Sequence, residues 1–320
     1  MKVNAIVRSI GLGLFLLLQQ CTPQSISLSP STGDWNIRAE LEGPARSAAV
    51  SFTIGNIAYI GTGLDVSNNS LADFWKYDPS RNAWTQVADF PGKARSEAVA
   101  FATRSKKGYL GTGMDAQGNL LRDFYEYDPT TNAWKRIADF SGSARRSATA
   151  FSMYDLGFVA LGFDGSERAD LWRYNSSANQ WTERKYIGGP ARVGAAAFVI
   201  NNLAYVGAGS SQNVNLSDFW MYDPDNNIWT QRRNIPDAIS ASSGAVGFSI
   251  DNTGYFVTGS GGRQVLVYNS VTDFWTEQRP FEGSSRSKAV GFAIGQKGYI
   301  TTGSNGNTRF DDLWEFDPTY

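Results

Sequence analysis

The stretch LADFWKYDPSRNAWTQVADF occupies residues 71–90, and LRDFYEYDPTTNAWKRIADF stands at 121–140. In both, an aspartate precedes two aromatics, Tyr-Asp-Pro opens a turn, an Asn-Ala-Trp follows, and Ala-Asp-Phe ends the unit. Related copies read RADLWRYNSSANQWTERKYI at 168–187, LSDFWMYDPDNNIWTQRRNI at 216–235 and, more weakly, GRQVLVYNSVTDFWTEQRPF at 262–281. Repetition at a fixed period marks a supersecondary unit that buries its apolar face against the next copy. Short aromatic and β-branched runs bounded by Asp, Pro and Asn read as strands joined by tight turns.

A second stretch recurs in step with the first. EGPARSAAVSF (42–52), FPGKARSEAVAF (90–101), SGSARRSATAF (141–151), GGPARVGAAAF (188–198) and EGSSRSKAVGF (282–292) each place an arginine six residues before a phenylalanine. Arg46, Arg95, Arg145 and Arg192 lie 49, 50 and 47 residues apart. Each unit holds four apolar segments, in the first of them Ala48–Ile54, Ile57–Thr62, Phe74–Tyr77 and Trp84–Val87. Four short strands per repeat of about 50 residues make one blade of a β-propeller.

The pattern resembles kelch repeats. Those carry glycines at the end of the second strand, an aromatic in the third and a tryptophan in the fourth. Here the glycines read Gly61-Thr62-Gly63, Gly111-Thr112-Gly113 and Gly207-Ala208-Gly209, with Gly162, Gly259 and Gly303 in the other units. The aromatics are Tyr77, Tyr127, Tyr174, Tyr222, Tyr268 and Phe316, and the tryptophans Trp84, Trp134, Trp181, Trp229 and Trp275. The last unit stops at DLWEFDPTY, before a fourth strand, whereas GDWNIRAEL at 33–41 carries Trp35 in the tryptophan place. The expectation is an all-β, six-bladed kelch β-propeller over 33–320, with four-stranded antiparallel blades and the last blade closed by the N-terminal strand. Such closure leaves no open sheet edge.

Acids and bases nearly balance, 30 against 29, and no basic stripe points to nucleic acid. There is no histidine and a single cysteine, Cys21, so metal sites and intrachain disulfides are not expected, nor is a cofactor. Residues 1–20 read as a signal peptide, with Lys2 and Arg8 ahead of the apolar IGLGLFLLL. LLQQC resembles a bacterial lipoprotein signal in which Cys21 is lipidated; Gln19 and Gln20 depart from the small residues usual there, and an ordinary secretory signal is the alternative. Residues 21–32, rich in Ser and Pro, read as a tether. The chain is therefore expected to be exported and held at a bacterial membrane, periplasmic or at the cell surface, as a monomer.

In a four-stranded meander the 2–3 loops and the 4–1 links between blades share one face, and the 1–2 and 3–4 connections share the other. The 3–4 turns (YDPSRNAW, YDPTTNAW, YDPDNNIW) are uniform and read as structural; the 2–3 loops vary, which places binding on their face. Arg46, Arg95, Arg145, Arg192 and Arg286 head the inner strands on that face, with Ser242 in the fifth blade's place. Two roles fit them. They tie blades together by bonding backbone carbonyls or a neighbouring blade's aspartate (Asp73, Asp123, Asp170, Asp218 and Asp312 recur), or they form a ring that takes a carboxylate or acidic peptide. Some kelch adaptors use arginines at the corresponding strand heads to bind acidic peptides. The tryptophans read as packing between blades with the indole N–H satisfied locally.

Bacterial kelch proteins are commonly grouped with galactose oxidase, whose copper site needs histidines and a tyrosine–cysteine crosslink; the residue types here argue against that activity. The preferred expectation is a non-catalytic binding module of the cell envelope for a protein or glycan. The alternative is a carbohydrate-active kelch enzyme such as a sialic acid mutarotase, working through Glu97 and the arginine ring.

Overall fold

The computed structural model describes residues 32–236, 243–259 and 262–319. The signal, Cys21, Ser242 and all of the tether but Thr32 lie outside the described residues.

Six four-stranded antiparallel sheets form the blades of a propeller. Blade 1 comprises Val50–Ile54, Ile57–Gly61, Phe74–Asp78 and Ala83–Val87, inner to outer. The inner strands of the next five are Val99–Ala102, Thr149–Met153, Ala196–Ile200, Val246–Ile250 and Val290–Ile294. Neighbouring inner strands pack side by side, and the sixth returns to the first. The outer strand of blade 6 is Asp34–Arg38, paired antiparallel with Leu313–Asp317 so that Trp35 lies opposite Phe316. The ring thus closes through the two ends of the chain, as the count of tryptophans implied.

The inner strand of blade 1 begins at Val50, two residues later than the apolar run suggests. Ala48 has φ +55°, a left-handed conformation that ends strand pairing. The Thr62-Gly63 pair after the second strand has a similar local cause. Thr62 and Gly63 are both left-handed, at φ +60° and +98°, and a Cβ on Gly63 would stand 2.6 Å from the Ser47 carbonyl oxygen. The first of the two places therefore accepts Thr, while the second excludes a side chain.

Blades are joined by apolar packing and by a repeated polar clamp. The phenylalanine six residues after each arginine reaches the second strand of the next blade; a Cβ on Gly157 would lie 2.0 Å from the Phe101 ring. In the clamp between blades 1 and 2, Asn132 Oδ1 accepts from the Tyr127 hydroxyl (2.8 Å) and from the Ala88 N–H (2.9 Å). Trp134 Nε1 donates to the Ala88 carbonyl at 2.9 Å. The same trio recurs around Asn82, Asn179 and Asn227, and around Asp273, whose carboxylate replaces the amide. These satisfied indoles bear out the packing role read for the tryptophans. At the seam between blades 5 and 6, Gly33 and Phe316 occupy the amide and tyrosine places, and Trp35 Nε1 has no partner among the described residues.

Candidate functional site

Arg46, Arg95, Arg145, Arg192 and Arg286 head the inner strands as expected, but each is at most 1% exposed. Arg95 shows the shared arrangement. Its Nε donates to the Lys93 carbonyl, Nη1 to the Thr112 carbonyl and to Asp123 Oδ1 (2.8 Å), and Nη2 to Asp123 Oδ2 (2.7 Å). Arg46, Arg145 and Arg286 hold Asp73, Asp170 and Asp312 with the same fork, and Arg192 bonds Asp218 through Nη2. Burial alone would push the Asp73 carboxyl up, but the hydrogen bonds and charge of Arg46 outweigh it and hold it below the usual range.

Each aspartate belongs to the arginine's own blade, not to its neighbour. The tie between blades runs through the arginine backbone instead. Arg95 N donates to the Leu71 carbonyl in blade 1, and Arg95 O accepts from Gly63 N at 2.8 Å. The residue is a two-way staple, backbone to the preceding blade and guanidinium to its own. Of the two roles set out above, the geometry of these side chains matches the structural one: their donors face protein acceptors.

The residues that do face the mouth stand two places later. Ala48, Glu97, Ser147, Gly194, Gly244 and Lys288 are all left-handed, with φ between +53° and +77°. Each donates its N–H to the carbonyl of the equivalent residue one blade back: Glu97 to Ala48 (3.0 Å), Ser147 to Glu97 (3.0 Å), Gly194 to Ser147 (3.1 Å), and so round to Ala48, which donates to Lys288 (2.9 Å). This closed ring of six backbone hydrogen bonds circles the channel. It uses up its own N–H groups, so chemistry at the mouth falls to the side chains.

Those side chains are unevenly placed. Glu97, 7% exposed, accepts from Lys288 Nζ at Oε1 (2.6 Å) and from Arg146 Nη1 (2.7 Å) and Ser147 Oγ (2.5 Å) at Oε2. Lys288 spans from blade 6 past the small Ala48 of blade 1 to reach it. The cations are more open than the carboxylate, with Lys288 49% and Arg146 35% exposed. Gly194 and Gly244 carry no side chain, and Ser243 of blade 5 lines the mouth there, its hydroxyl standing over Gly194. A cavity of about 250 Å³ lies between these halves, and below it the lumen, about 260 Å³, is lined by small residues of the inner strands such as Ala49, Ala98 and Ala148.

Burial would raise the Glu97 carboxyl; Lys288, with help from Ser147 and Arg146, reverses that and holds it at about 2, against 4.5 for a free side chain. A depressed carboxyl contributes stability above its unfolded value and loses it as the pH falls through the folded one. Glu97→Gln is therefore expected to cost about 3 kcal/mol near pH 7. The gap from the parent protein should close between roughly pH 4.5 and pH 2. Urea unfolding across that range measures it, and a gap independent of pH would count against the ion pairs.

Among the described residues no group of three or more Cys, His, Asp or Glu side chains could hold a metal ion. None of their helices is long and apolar enough to cross a membrane.

Comparison with known proteins agrees with this geometry. The solved structure of YjhT superposes with a TM-score of 0.73 over 86% of this chain and 95% of that one, at 16% identity, a likeness of fold. No curated protein sequence matches the chain. The family described as KLHDC2/KLHL20/DRC7 Kelch-repeats domain matches residues 93–262, and the Kelch motif matches 45–91, the unit that carries Arg46, Asp73 and Trp84. By this match over more than half its length, the chain belongs to the kelch-repeat family.

Proposed function

We propose that this propeller is a non-catalytic binding module of the bacterial envelope. It presents the face of 2–3 loops and 4–1 links to an anionic protein or glycan. The reading includes export, attachment to a membrane through lipidated Cys21, and a monomeric state. The observation that supports it is the mouth cluster, in which two partly exposed cations surround one ionised, buried carboxylate. The excess positive charge of Lys288 sits on the wall of the mouth cavity, across from Gly194, Ser243 and Gly244. An incoming carboxylate or sulfate would share Lys288 and Arg146 with Glu97.

The enzymatic alternative, a sialic acid mutarotase, would ask Glu97 to exchange protons. A carboxyl held at about 2 with both oxygens engaged is a weak base and is not protonated near neutral pH, which favours binding over acid–base work.

The test is a screen of the purified protein against acidic and neutral glycans, acidic peptides and solubilised envelope proteins. Binding should prefer the acidic partners and weaken as salt rises. Lys288→Gln together with Arg146→Gln should weaken it at least tenfold, measured well below a melting temperature that falls because the buried Glu97 carboxylate loses both cations. Binding indifferent to both substitutions would overturn the reading. Accelerated anomer exchange of N-acetylneuraminic acid, lost in Glu97→Gln, would replace it with the enzymatic one.

A further inference from the structure

The opposite end of the channel is not as uniform as its short turns suggest. Between the first and second strands, blades 1, 3, 4, 5 and 6 use two-residue turns such as Gly55-Asn56 and Tyr154-Asp155, whereas blade 2 runs through five residues, Thr103 to Lys107. The longer hairpin leans over its neighbours. Ser105 N donates to Asp155 Oδ1 of blade 3 at 2.7 Å, and Arg104 Nη2 donates to Asn202 Oδ1 of blade 4 at 3.0 Å. The Arg104 guanidinium also lies over the Tyr154 ring, 5.2 Å from its centre.

Beneath this bridge is a cavity of about 500 Å³, within the range of about 300–1,000 Å³ usual for small-molecule sites. Its inner wall includes Ala102, Ser152 and Val199. They stand two residues beyond Ala100, Ala150 and Ala197, which line the lumen, and so share their side of the strands. The cavity therefore opens the channel's second mouth.

We propose that this mouth is a second ligand site, in which Arg104, Tyr154 and Asn202 take one acidic sugar residue of the hexuronate class. Three features carry the assignment. Arg104 is held in place by the Tyr154 ring and Asn202, yet Asn202 takes only one of the two Nη2 hydrogens and among the described residues Nε and Nη1 have no acceptor; the second Nη2 hydrogen with the neighbouring Nε or Nη1 leaves one two-donor edge for a carboxylate. Tyr154, 37% exposed and with φ +57°, offers an aromatic surface suited to the C–H face of a sugar ring. The Asn202 amide nitrogen has no acceptor among the described residues and can donate to a hydroxyl. The nearby carboxylates do not close the site: Asp155 is bonded to the Ser105 N–H, and Asp225 lies at the rim, 3.5 Å from the Tyr154 hydroxyl.

The experiment is calorimetric titration of the purified protein with D-glucuronate and D-galacturonate, with D-glucose and acetate as controls. At least one hexuronate should bind saturably, and both controls at least tenfold more weakly. Arg104→Gln should cut hexuronate affinity at least tenfold and Tyr154→Ala at least fivefold, each with a cooperative unfolding transition retained. Arg104→Lys, which keeps the charge and loses the planar fork, should fall between. Failure of both hexuronates to bind, or acetate binding as tightly, would overturn the proposal. Hexuronate binding that survives Arg104→Gln but is lost in Lys288→Gln would overturn it too, by placing the sugar at the other mouth. The reading of that mouth rests on its own substitutions and can fail independently.

Discussion

Replacing Arg95 by alanine is expected to destabilise the propeller by about 3–5 kcal/mol, the usual cost of removing one partner from a buried ion pair. The midpoint of thermal unfolding should fall by roughly 5–15 °C. The guanidinium is fully buried and serves three acceptors, so the variant leaves the Asp123 carboxylate and the Lys93 and Thr112 carbonyls short of donors. The backbone bonds to Leu71 and Gly63 survive the substitution, so the effect isolates the side chain. Arg46→Ala provides an internal control. Asp73 keeps a bond from Trp75 Nε1 at 2.7 Å, whereas blade 2 has Tyr125 in that place. The blade 1 variant should therefore be milder by about 1 kcal/mol, the worth of one hydrogen bond. Arg95→Lys keeps the charge but loses the planar fork and should recover less than half of the loss. An Arg95→Ala protein within 1 kcal/mol of the parent in denaturant unfolding would refute the staple.

How far the sequence could be read follows from this residue. Blade number, strand order and the split sixth blade were legible, because they depend on a pattern that recurs from unit to unit: Tyr-Asp-Pro in the turns of blades 1, 2 and 4 with close variants in the rest, the left-handed glycine, the tryptophan opposite an aromatic. The partner of each arginine was not. Arg95 and Asp123 are 28 residues apart, a separation that does not distinguish a blade's own third strand from its neighbour's without the crossing of the links. Of the side chains at the mouth the sequence singled out Glu97 alone, and the others were hidden for a different reason. Ala48, Glu97, Ser147, Gly194 and Lys288 sit inside an apolar run that reads as strand, and their left-handed backbone has no fixed residue type. A signal was nevertheless present. In RSAAV, RSEAV, RRSAT, RVGAA and RSKAV the third residue takes five identities while the fourth is always alanine, so the chain varies where side chains reach the mouth and stays constant where they line the lumen. The second mouth went unread because its face was assigned to structure from the uniform 3–4 turns, which carry no information about the longer first hairpin of blade 2.

Deleting residues 33–41 should have the largest effect of all. It strips the outer strand from blade 6 and reopens the ring. Trp35 alone packs on Phe281 and Phe316, with ring centres 4.9 and 4.7 Å away, and truncating a buried tryptophan typically costs about 3–5 kcal/mol. Arg38 adds a fork to Glu315, at 2.6 Å through Nη2 and 3.1 Å through Nε. Burial would raise the Glu315 carboxyl, and the bonds from Arg38 and Tyr299 hold it below the usual range. The five pairings of Asp34–Arg38 with Leu313–Asp317 go as well, exposing a strand edge. Against a total folding free energy of about 5–15 kcal/mol, these losses together exceed what a domain can spare. The expected product is a protein without a cooperative thermal transition, recovered mainly as aggregate, and an unchanged melting temperature would contradict closure by the N-terminal strand. Because the missing element is one strand on an exposed edge, a peptide of residues 32–41 supplied in excess should bind there by strand addition and restore the transition, and Trp35→Ala in that peptide should abolish the rescue. The rescue separates a ring that lacks its last strand from a chain that cannot fold at all, since only the former offers the edge of Leu313–Asp317 to a partner.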